Sequence, residues 1–378
     1  MFIGRPQSRI DGPMKVCGRA TYISDVDLPN MLYAMVVCNT IAAGRVTSLE
    51  FAAAQAMPGV RLILHRGNIG KLYRIPGNSF DDGFVDDQRP PFEDDVIRYY
   101  GQYVACVIAN TFEAANAAVH AVKVGYEVAS HDVSDELGVH EKLDVHSERG
   151  DAATAFDQAA VKIDQTYATP VETHNPIELH ATVVHWNGDS YTFYETSQAV
   201  TNYRGTLQQM LGVPKEKVRV ISRYLGSGFG GKLWIWPHSL LAGMATKQTG
   251  QPVKLVVSRK MMFQNVGHRP TTEQRVRLGA TKDDKLVSDV GTARLSESCG
   301  HRQQLFRGLR RSHAASLQRK ESTRDRRHRE AQRRFAHRDV RTRRGARPVR
   351  ARIRDERACR RAQYRSGGTA SAQRAEGR

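Results

Sequence analysis

Residues 194–236 read YETSQAVTNYRGTLQQMLGVPKEKVRVISRYLGSGFGGKLWIW, a stretch that predicts a strand, a helix, a second strand and a glycine-rich loop in that order. A β-rich run ends at Thr196-Ser197-Gln198. Helical spacing follows over 199–211, with one apolar face made of Val200, Tyr203, Leu207, Met210 and Leu211. Gly212 and Pro214 end that helix, and a strand over 218–221 leads directly into the loop.

The loop has glycines at four of its six positions, which are Gly226, Gly228, Gly230 and Gly231. Without Cβ atoms the backbone can lie directly against a ligand, and successive free N–H groups can form an anion-binding nest. Gln198, at the start of the helix, adds an uncharged donor beside the positive end of the helix dipole. We therefore expect a cofactor that bears phosphate or oxo groups, but the pattern does not say which one.

Two common phosphate motifs overlap the same loop, and each lacks a residue that it needs. The spacing GxGxxG over 226–231 follows a strand, but the ribose-binding acid expected ~20 residues later is missing, and the next acid is Glu273. The spacing GxxxxGK also fits, but Leu233 stands where a hydroxyl should hold Mg²⁺. A tight turn without any ligand is the third interpretation.

The Ser197-Gln198 pair followed by the GSGFGGK loop resembles the molybdopterin-binding large subunits of the xanthine dehydrogenase and aldehyde oxidase family, in particular the bacterial aldehyde oxidoreductases. The resemblance covers roughly residues 1–297. It implies a molybdenum-bearing molybdopterin, with its cytosine dinucleotide form as a further option. It also implies that Gln198 hydrogen-bonds an oxygen on molybdenum as the catalytic contact of this chain. Gly228, Phe229, Gly230 and Gly231 are then the other cofactor-binding residues, and Phe229 also faces substrate.

The resemblance has consequences for substrate and partners as well. Purine-oxidising members place a glutamate after GGK, whereas Leu233 cannot hydrogen-bond a purine, so aldehydes or aromatic heterocycles are favoured as substrates. An iron–sulfur small subunit and an FAD medium subunit are the expected partners. The family's glutamate general base and its second cofactor loop do not occur in this sequence. We therefore expect little turnover, since a general base typically contributes ~10²–10⁴ in rate.

The net charge of +18 is concentrated at one end of the chain. Residues 301–378 contain 25 Arg, one Lys and seven acids, which leaves 31 basic and 32 acidic residues in 1–300. The segment 298–378 is expected to be disordered because it has almost no apolar periodicity. A basic-tailed nucleic-acid-binding protein is the alternative function, but only Phe306, Phe335 and Tyr364 could stack on bases. The other explanation for the arginine-rich tail is that the subunit is truncated and that the tail is a GC-rich gene segment translated out of frame.

The predicted fold class is α+β with a disordered basic tail. Alternating β and α elements predict a compact α/β domain within 1–130, the family's hammerhead domain by resemblance. Residues 131–158 lose periodicity and predict a linker. Residues 159–297 are then the first part of the molybdopterin-binding domain, closed by a long β pair.

Remaining features exclude other classes of site. The five cysteines show no CxxC spacing, so we expect buried free thiols and a reducing, cytoplasmic location. No apolar run approaches the ~20 residues of a membrane span, and no secretory signal is seen. The aspartates of 81–95 lack the ligand order of a calcium loop. His174, Glu178 and His180 lack zinc spacing and predict a satisfied polar network.

Overall fold

A computed structural model of the chain describes residues 4, 6–75, 85, 88–131, 150–269 and 271–295. Most of the predicted linker and all of the basic tail after Leu295 lie outside these residues. The described helices are α1 (Gly12–Val16), α2 (Ala52–Gln55), α3 (Phe112–Ala121), α4 (Ala152–Gln158), α5 (Val200–Leu211), α6 (Pro237–Thr249) and α7 (Arg259–Asn265). The described strands are β1 (Leu32–Cys38), β2 (Gly44–Glu50), β3 (Val60–Leu64), β4 (Val96–Ile97), β5 (Tyr103–Ala109), β6 (Lys123–Val128), β7 (Val161–Thr169), β8 (Ala181–Trp186), β9 (Tyr191–Glu195), β10 (Val218–Ile221), β11 (Val253–Val256), β12 (Thr272–Ala280) and β13 (Leu286–Leu295).

The largest sheet has seven strands in the order β10-β9-β8-β11-β1-β5-β3. Its centre is a parallel pair that places Leu32 of β1 opposite Val253 of β11. β9 and β10 are also parallel, and the other neighbours are antiparallel. One sheet therefore combines strands from both sequence regions, 1–130 and 159–297. The mixed sheets and helices confirm the α+β fold class.

β5 is buried on both faces, as its nearly unbroken apolar sequence predicts. Successive side chains of a strand point to opposite faces. Ala105 and Val107 accordingly pack in a small core that includes Ala54 of α2 and Ala118 of α3. Cys106 and Ile108 belong to the main core on the other face. β5 therefore supports two layers at once.

Helices α5 and α6 supply much of the main core beside the candidate site. Tyr203 and Leu207 of α5 are fully buried as predicted, but Val200 is 40% exposed, because the first turn of the helix projects beyond the core. Gly212 adopts φ +65° at the C-cap, which confirms the predicted end of α5. Gly250 and Pro252 after residues 236–249 predict an amphipathic helix there, and the predicted exposed polar face is wrong for α6. Most of that helix is buried, including the polar residues His238, Ser239 and Thr246.

Two short sheets complete the described fold. β2 pairs with β4 and β6, and β12 pairs with β7 and β13. The hairpin of β12 and β13 places Thr272 opposite Leu295 and confirms the predicted β pair. β7 is exposed along its whole length although it is fully paired with β12.

Two helices lie where the sequence predicted no regular helix. α4 falls within the predicted linker and begins at Asp151, whose carboxylate accepts a hydrogen bond from the Thr154 backbone N–H. Its residue Phe156 is buried, and the Arg277 guanidinium lies 4.1 Å from the ring centroid. Gly, Pro and Asn residues over 1–30 predict short extended segments, but α1 forms there, with Pro at its first turn.

The described cysteines and aspartates have ordinary surroundings. The described thiols are free, and Cys106 is buried as expected, but Cys17 is exposed because it caps the short surface helix α1. Asp94 and Asp95 form ion pairs with Arg98 and Arg45, while the aspartates at 81–87 lie outside the described residues. Within the described part of the chain, no helix combines the length and hydropathy needed to cross a membrane.

Candidate active site

The candidate site lies where two neighbouring parallel strands end. β9 and β10 run side by side, so their carboxyl ends reach the same edge of the sheet. Gln198 follows β9 and the glycine loop 226–231 follows β10. The backbone N–H of Gln198 donates to the carbonyl oxygen of Lys232 at 2.8 Å. The topology therefore joins the two motifs that the sequence singled out.

The carboxamide of Gln198 has a fixed direction. Its Oε1 accepts hydrogen bonds from the backbone N–H of Gly230 at 3.1 Å and of Lys232 at 3.3 Å. Because both partners are donors, the oxygen must face the loop and the NH₂ group must point away from it. That NH₂ group donates to no other described residue, and it lies at an open pocket. The NH₂ group of Gln198 is thus left available as a hydrogen-bond donor, and its role toward a ligand stays a prediction.

The loop approaches Gln198 so closely that residue 228 must be small. A Cβ atom on Gly228 would lie 2.4 Å from Gln198 Oε1. The next residue, Phe229, adopts φ +51°, a conformation that costs a bulky residue about 1–2 kcal/mol. Its side chain is 60% exposed, so little burial offsets that cost. A strained, exposed aromatic residue is more typical of a functional loop than of a purely structural turn.

Three of the loop's six backbone N–H groups, those of Gly226, Gly230 and Gly231, donate within the protein, so the prediction of a nest of free N–H groups is wrong for these three. Gly226 N–H donates to Glu178 and Gly230 N–H to Gln198. Gly231 N–H donates to the Gly228 carbonyl at 2.8 Å. A glycine-rich sequence shows that N–H groups can be free, but it does not show which side chains accept from them. The N–H groups of Ser227, Gly228 and Phe229 have no acceptor among the described residues, so anion binding at 227–229 stays a prediction.

A pocket of about 470 Å³ opens beside Gln198, and it contains polar residues that the sequence did not predict together. It is lined by Glu172, Thr173, His174, Gln198, Phe229, Gly230 and Arg269. Arg269 donates to the Phe229 carbonyl at 2.9 Å, and its guanidinium lies 3.6 Å from the Glu172 carboxylate. A β-bridge between residues 172 and 269 brings these two together. No local sequence signal marks that bridge.

His174 contributes a neutral imidazole to this pocket. Partial burial lowers its pKa, and the nearby charges of Arg269 and His268 lower it further. Its Nδ1 is buried and has no hydrogen-bond partner among the described residues. The ring packs against Gly231, where a Cβ atom would lie 2.9 Å from the His174 Cγ. His174 can therefore offer a neutral polar edge to a ligand.

A buried ion pair lies beneath the loop. The side chain of Lys232 is fully buried, and its Nζ lies 2.5 Å from Glu178 Oε2. Burial lowers the pKa of Lys232, while its hydrogen bond to Glu178 raises it. His180 Nε2 lies 3.1 Å from the Gly231 carbonyl, and burial lowers the pKa of His180 to about 3. The predicted network exists, but it is not fully satisfied, because Glu178 Oε1 and His180 Nδ1 have no partner among the described residues.

The predicted site residues do not all reach the pocket. Gln198, Phe229 and Gly230 line it, whereas Gly228 and Gly231 shape the loop from behind. Leu233 is half-buried and is not part of this lining; its backbone N–H donates to the Gly230 carbonyl. Among the described residues, no group of three or more His, Cys, Asp or Glu side chains could hold a metal ion. The pocket thus offers contacts to a ligand rather than a ligand set for a metal.

Two family models match the chain. Residues 17–130 match the aldehyde oxidase and xanthine dehydrogenase a/b hammerhead domain. Residues 135–295 match the molybdopterin cofactor-binding domain. Every residue that lines the pocket lies within the second match.

Curated relatives agree with these matches. The molybdenum-binding subunit PaoC of the aldehyde oxidoreductase of Escherichia coli K12 is 36% identical over 293 residues, which are 76% of this chain and 39% of that protein. The large molybdopterin subunit of nicotinate dehydrogenase from Eubacterium barkeri is 32% identical over 297 residues, 75% of this chain and 68% of that protein. The chain therefore spans well under half the length of the first relative and about two thirds of the second.

A solved structure shares the fold. Quinoline 2-oxidoreductase from Pseudomonas putida 86 superposes with a TM-score of 0.64 at 22% identity, over 77% of this chain and 39% of that chain.

Proposed function

The chain belongs to the molybdopterin-binding large subunits of the xanthine dehydrogenase and aldehyde oxidase family, and we propose that Gln198 and the glycine loop form one wall of its cofactor site. The observation that carries this proposal is the locked carboxamide of Gln198. Its oxygen is held by two loop N–H groups, so only its NH₂ group can meet a ligand. Such a donor suits an acceptor oxygen on a bound group.

The residues of the pocket fit a cofactor that brings its own metal ligands. Gln198, His174 and Arg269 offer an amide, a neutral imidazole and a guanidinium, and these groups contact a ligand through hydrogen bonds. When bound, the molybdenum of a molybdopterin, in its plain or cytosine dinucleotide form, supplies two-electron redox chemistry that side chains cannot provide. Gln198 orients the bound group, and Phe229 shields one side of the pocket from water. The exposed ring of Phe229 also offers an apolar surface to a substrate.

We extend the proposal to the whole subunit. It takes part in the oxidative hydroxylation of aldehydes or aromatic heterocycles, with electrons leaving through an iron–sulfur chain and an FAD chain. The names of the relatives support this, since one is a subunit of an aldehyde oxidoreductase and another of nicotinate dehydrogenase. Leu233 does not line the pocket as described, but it follows Lys232 in the position where purine-oxidising members carry a glutamate; an alkyl group there cannot replace a hydrogen bond to a purine ring, so the proposal disfavours purines. We propose the same domain bounds as before, with the hammerhead domain over 1–130 and the first part of the molybdopterin-binding domain over 159–297. The proposed location of the subunit is the cytoplasm.

The test is the molybdenum and pterin content of the full chain, purified with its candidate partner subunits from cells supplied with molybdate. We expect close to one molybdenum per chain by elemental analysis, and a matching pterin signal after oxidation. Protein from a host that cannot make molybdopterin sets the background. Wild-type protein that never exceeds that background contradicts the proposal.

Two isosteric substitutions make the test specific to Gln198. Gln198→Glu keeps an oxygen for the loop but replaces the outward NH₂ group with an acceptor, so we expect molybdenum content to fall about tenfold or more, the factor for one lost charge-assisted hydrogen bond. Gln55→Glu introduces the same change at an exposed residue of α2 and should have no effect. Equal molybdenum content in the two variants would show that Gln198 does not contact the cofactor.

A further inference from the structure

A single carboxylate connects the two ends of the glycine loop. Glu178 Oε2 accepts from the backbone N–H of Gly226 at 3.0 Å and from Lys232 Nζ at 2.5 Å. The same Nζ donates to the Glu178 backbone carbonyl at 3.1 Å. Glu178 thus joins the first residue of the segment 226–232 to its last residue, and neither Glu178 nor Lys232 lines the pocket.

The ion pair is poorly suited to a purely stabilising role. Lys232 is fully buried, and only 11% of the Glu178 side chain is exposed. Removing two charges from water costs about as much as their attraction returns, unless all of their polar atoms are satisfied. Glu178 Oε1 has no hydrogen-bond partner among the described residues. Replacing a buried ion pair with apolar residues of similar size is often neutral or stabilising, so stability alone does not account for this pair.

Lys232 also connects this ion pair to Gln198. The backbone N–H of Lys232 donates to Gln198 Oε1, and its carbonyl accepts from the Gln198 backbone N–H. A residue that is fixed by its buried side chain therefore holds both the backbone and the carboxamide of Gln198. Trp236 and His180 hold the neighbouring Gly231 carbonyl, at 2.7 and 3.1 Å.

We propose that Glu178 and Lys232 are positioning residues, whose ion pair sets the glycine loop and the Gln198 carboxamide in their ligand-binding geometry before the cofactor arrives. The inference rests on the proposed function, because it gives the loop a ligand to receive. Preorganisation of this kind lowers the cost of ordering that binding otherwise incurs. The pair acts through Gln198 and touches no ligand itself.

A double substitution separates positioning from stability. Glu178→Met together with Lys232→Met replaces the ion pair with apolar side chains of similar length and leaves no buried charge. We expect the midpoint of urea unfolding of the full chain to return to the wild-type value or above it, whereas Lys232→Met alone lowers it. In the double variant the Gly226 N–H has no side-chain acceptor, and residue 232 no longer donates hydrogen bonds to residue 178. Amide hydrogen exchange at 226–232 should then accelerate about tenfold or more, the factor for one charge-assisted hydrogen bond.

Ser239→Ala is the matched control. It removes another buried hydrogen bond to a carboxylate, from Ser239 to Glu195 at 2.8 Å, but does not involve the loop. It should lower stability and leave exchange at 226–232 unchanged. If the double variant fails to fold, Glu178→Gln takes its place, with Ser239→Ala as the reference for lost stability; faster exchange at 226–232 in Glu178→Gln but not in Ser239→Ala supports the inference, and equal exchange in both overturns it.

Exchange is measured on protein without cofactor, so the result does not depend on the proposed function. Failure of the wild-type chain to take up molybdenum counts against that function alone. A stably folded double variant whose loop amides exchange at wild-type rates overturns the inference. Uptake of molybdenum by that variant at the wild-type level does the same.

Discussion

The close approach of Gly228 to Gln198 gives a prediction with a magnitude. A methyl group at residue 228 would place a Cβ atom 2.4 Å from Gln198 Oε1 and 2.6 Å from its Cδ. The carboxamide is the end of a flexible side chain, so it moves and the backbone stays. It then loses its hydrogen bonds from Gly230 and Lys232, at about 0.5–1.5 kcal/mol each. Gly228→Ala should therefore cost about 1–3 kcal/mol of unfolding free energy.

A double-mutant cycle isolates this contact. Gln198→Ala removes the same two hydrogen bonds and also the atoms that residue 228 would meet. In that background Gly228→Ala should cost almost nothing, and the coupling energy should be about 1–3 kcal/mol. The effect of alanine on the unfolded chain is present in both backgrounds and cancels from the cycle. Urea unfolding of the full chain, followed by tryptophan fluorescence, measures all four proteins.

The alternative result is clear. If the costs of Gly228→Ala and Gln198→Ala simply add, the carboxamide is not held against residue 228. The direction of the Gln198 NH₂ group would then lose its basis. An independent control is Gly12→Ala in α1, where the new Cβ atom meets nothing closer than 3.6 Å and little change is expected.

Substitutions at three further residues test other parts of the structure. Burial is the main cause that lowers the pKa of His180 to about 3, so on acidification the unfolded chain binds this proton before the folded chain does, and the free energy of unfolding should fall by up to about 1.4 kcal/mol per pH unit from roughly pH 6.5 to pH 3. In urea unfolding at pH 7 and pH 5, His180→Gln should show a smaller loss of stability between the two pH values than the wild type. Equal losses in the two proteins would contradict this prediction. Phe229→Gly should raise the free energy of unfolding by about 0.5–1 kcal/mol because glycine adopts φ +51° without strain, whereas Phe229→Ala should not raise it. A lower free energy of unfolding for Phe229→Gly would show that the phenyl ring is packed against the protein. Thr111→Ala should lower the free energy of unfolding by about 1 kcal/mol because Thr111 Oγ1 accepts a hydrogen bond from the Ala114 N–H at the start of α3. Thr111→Ser keeps an acceptor oxygen and should lose much less stability. Equal losses for the two variants would argue against the cap.

Elements with strong local signals are predictable from the sequence. Thr111 as a cap and the alanine-rich run after it predict a helix over Phe112–Ala121, and the observed helix has these bounds. The turn at Gly212 and the two strands of the final hairpin follow from glycine placement and alternation in the same way. In each case the information lies within about ten residues.

What the sequence could not show is contact between distant segments. The pairing of β1 with β11 joins residues that are more than 200 positions apart, and no local pattern encodes it. Arg269 and Glu172 enter the pocket only because a β-bridge joins them. α6 is buried on nearly all sides, so the usual contrast of a polar and an apolar face is lost. The loop N–H groups were predicted to be free because the acceptors Glu178 and Gln198 are far away in sequence.

The central claim is that Gln198 and the glycine loop form the cofactor-facing wall. Amide hydrogen exchange of the full chain, purified from hosts with and without molybdopterin synthesis, tests it most directly. The account predicts added protection in the cofactor-loaded protein at residues 198–200 and 226–233, with β7 and the hairpin of β12 and β13 unchanged. Protection confined to other segments, or no difference between the two preparations, would contradict it.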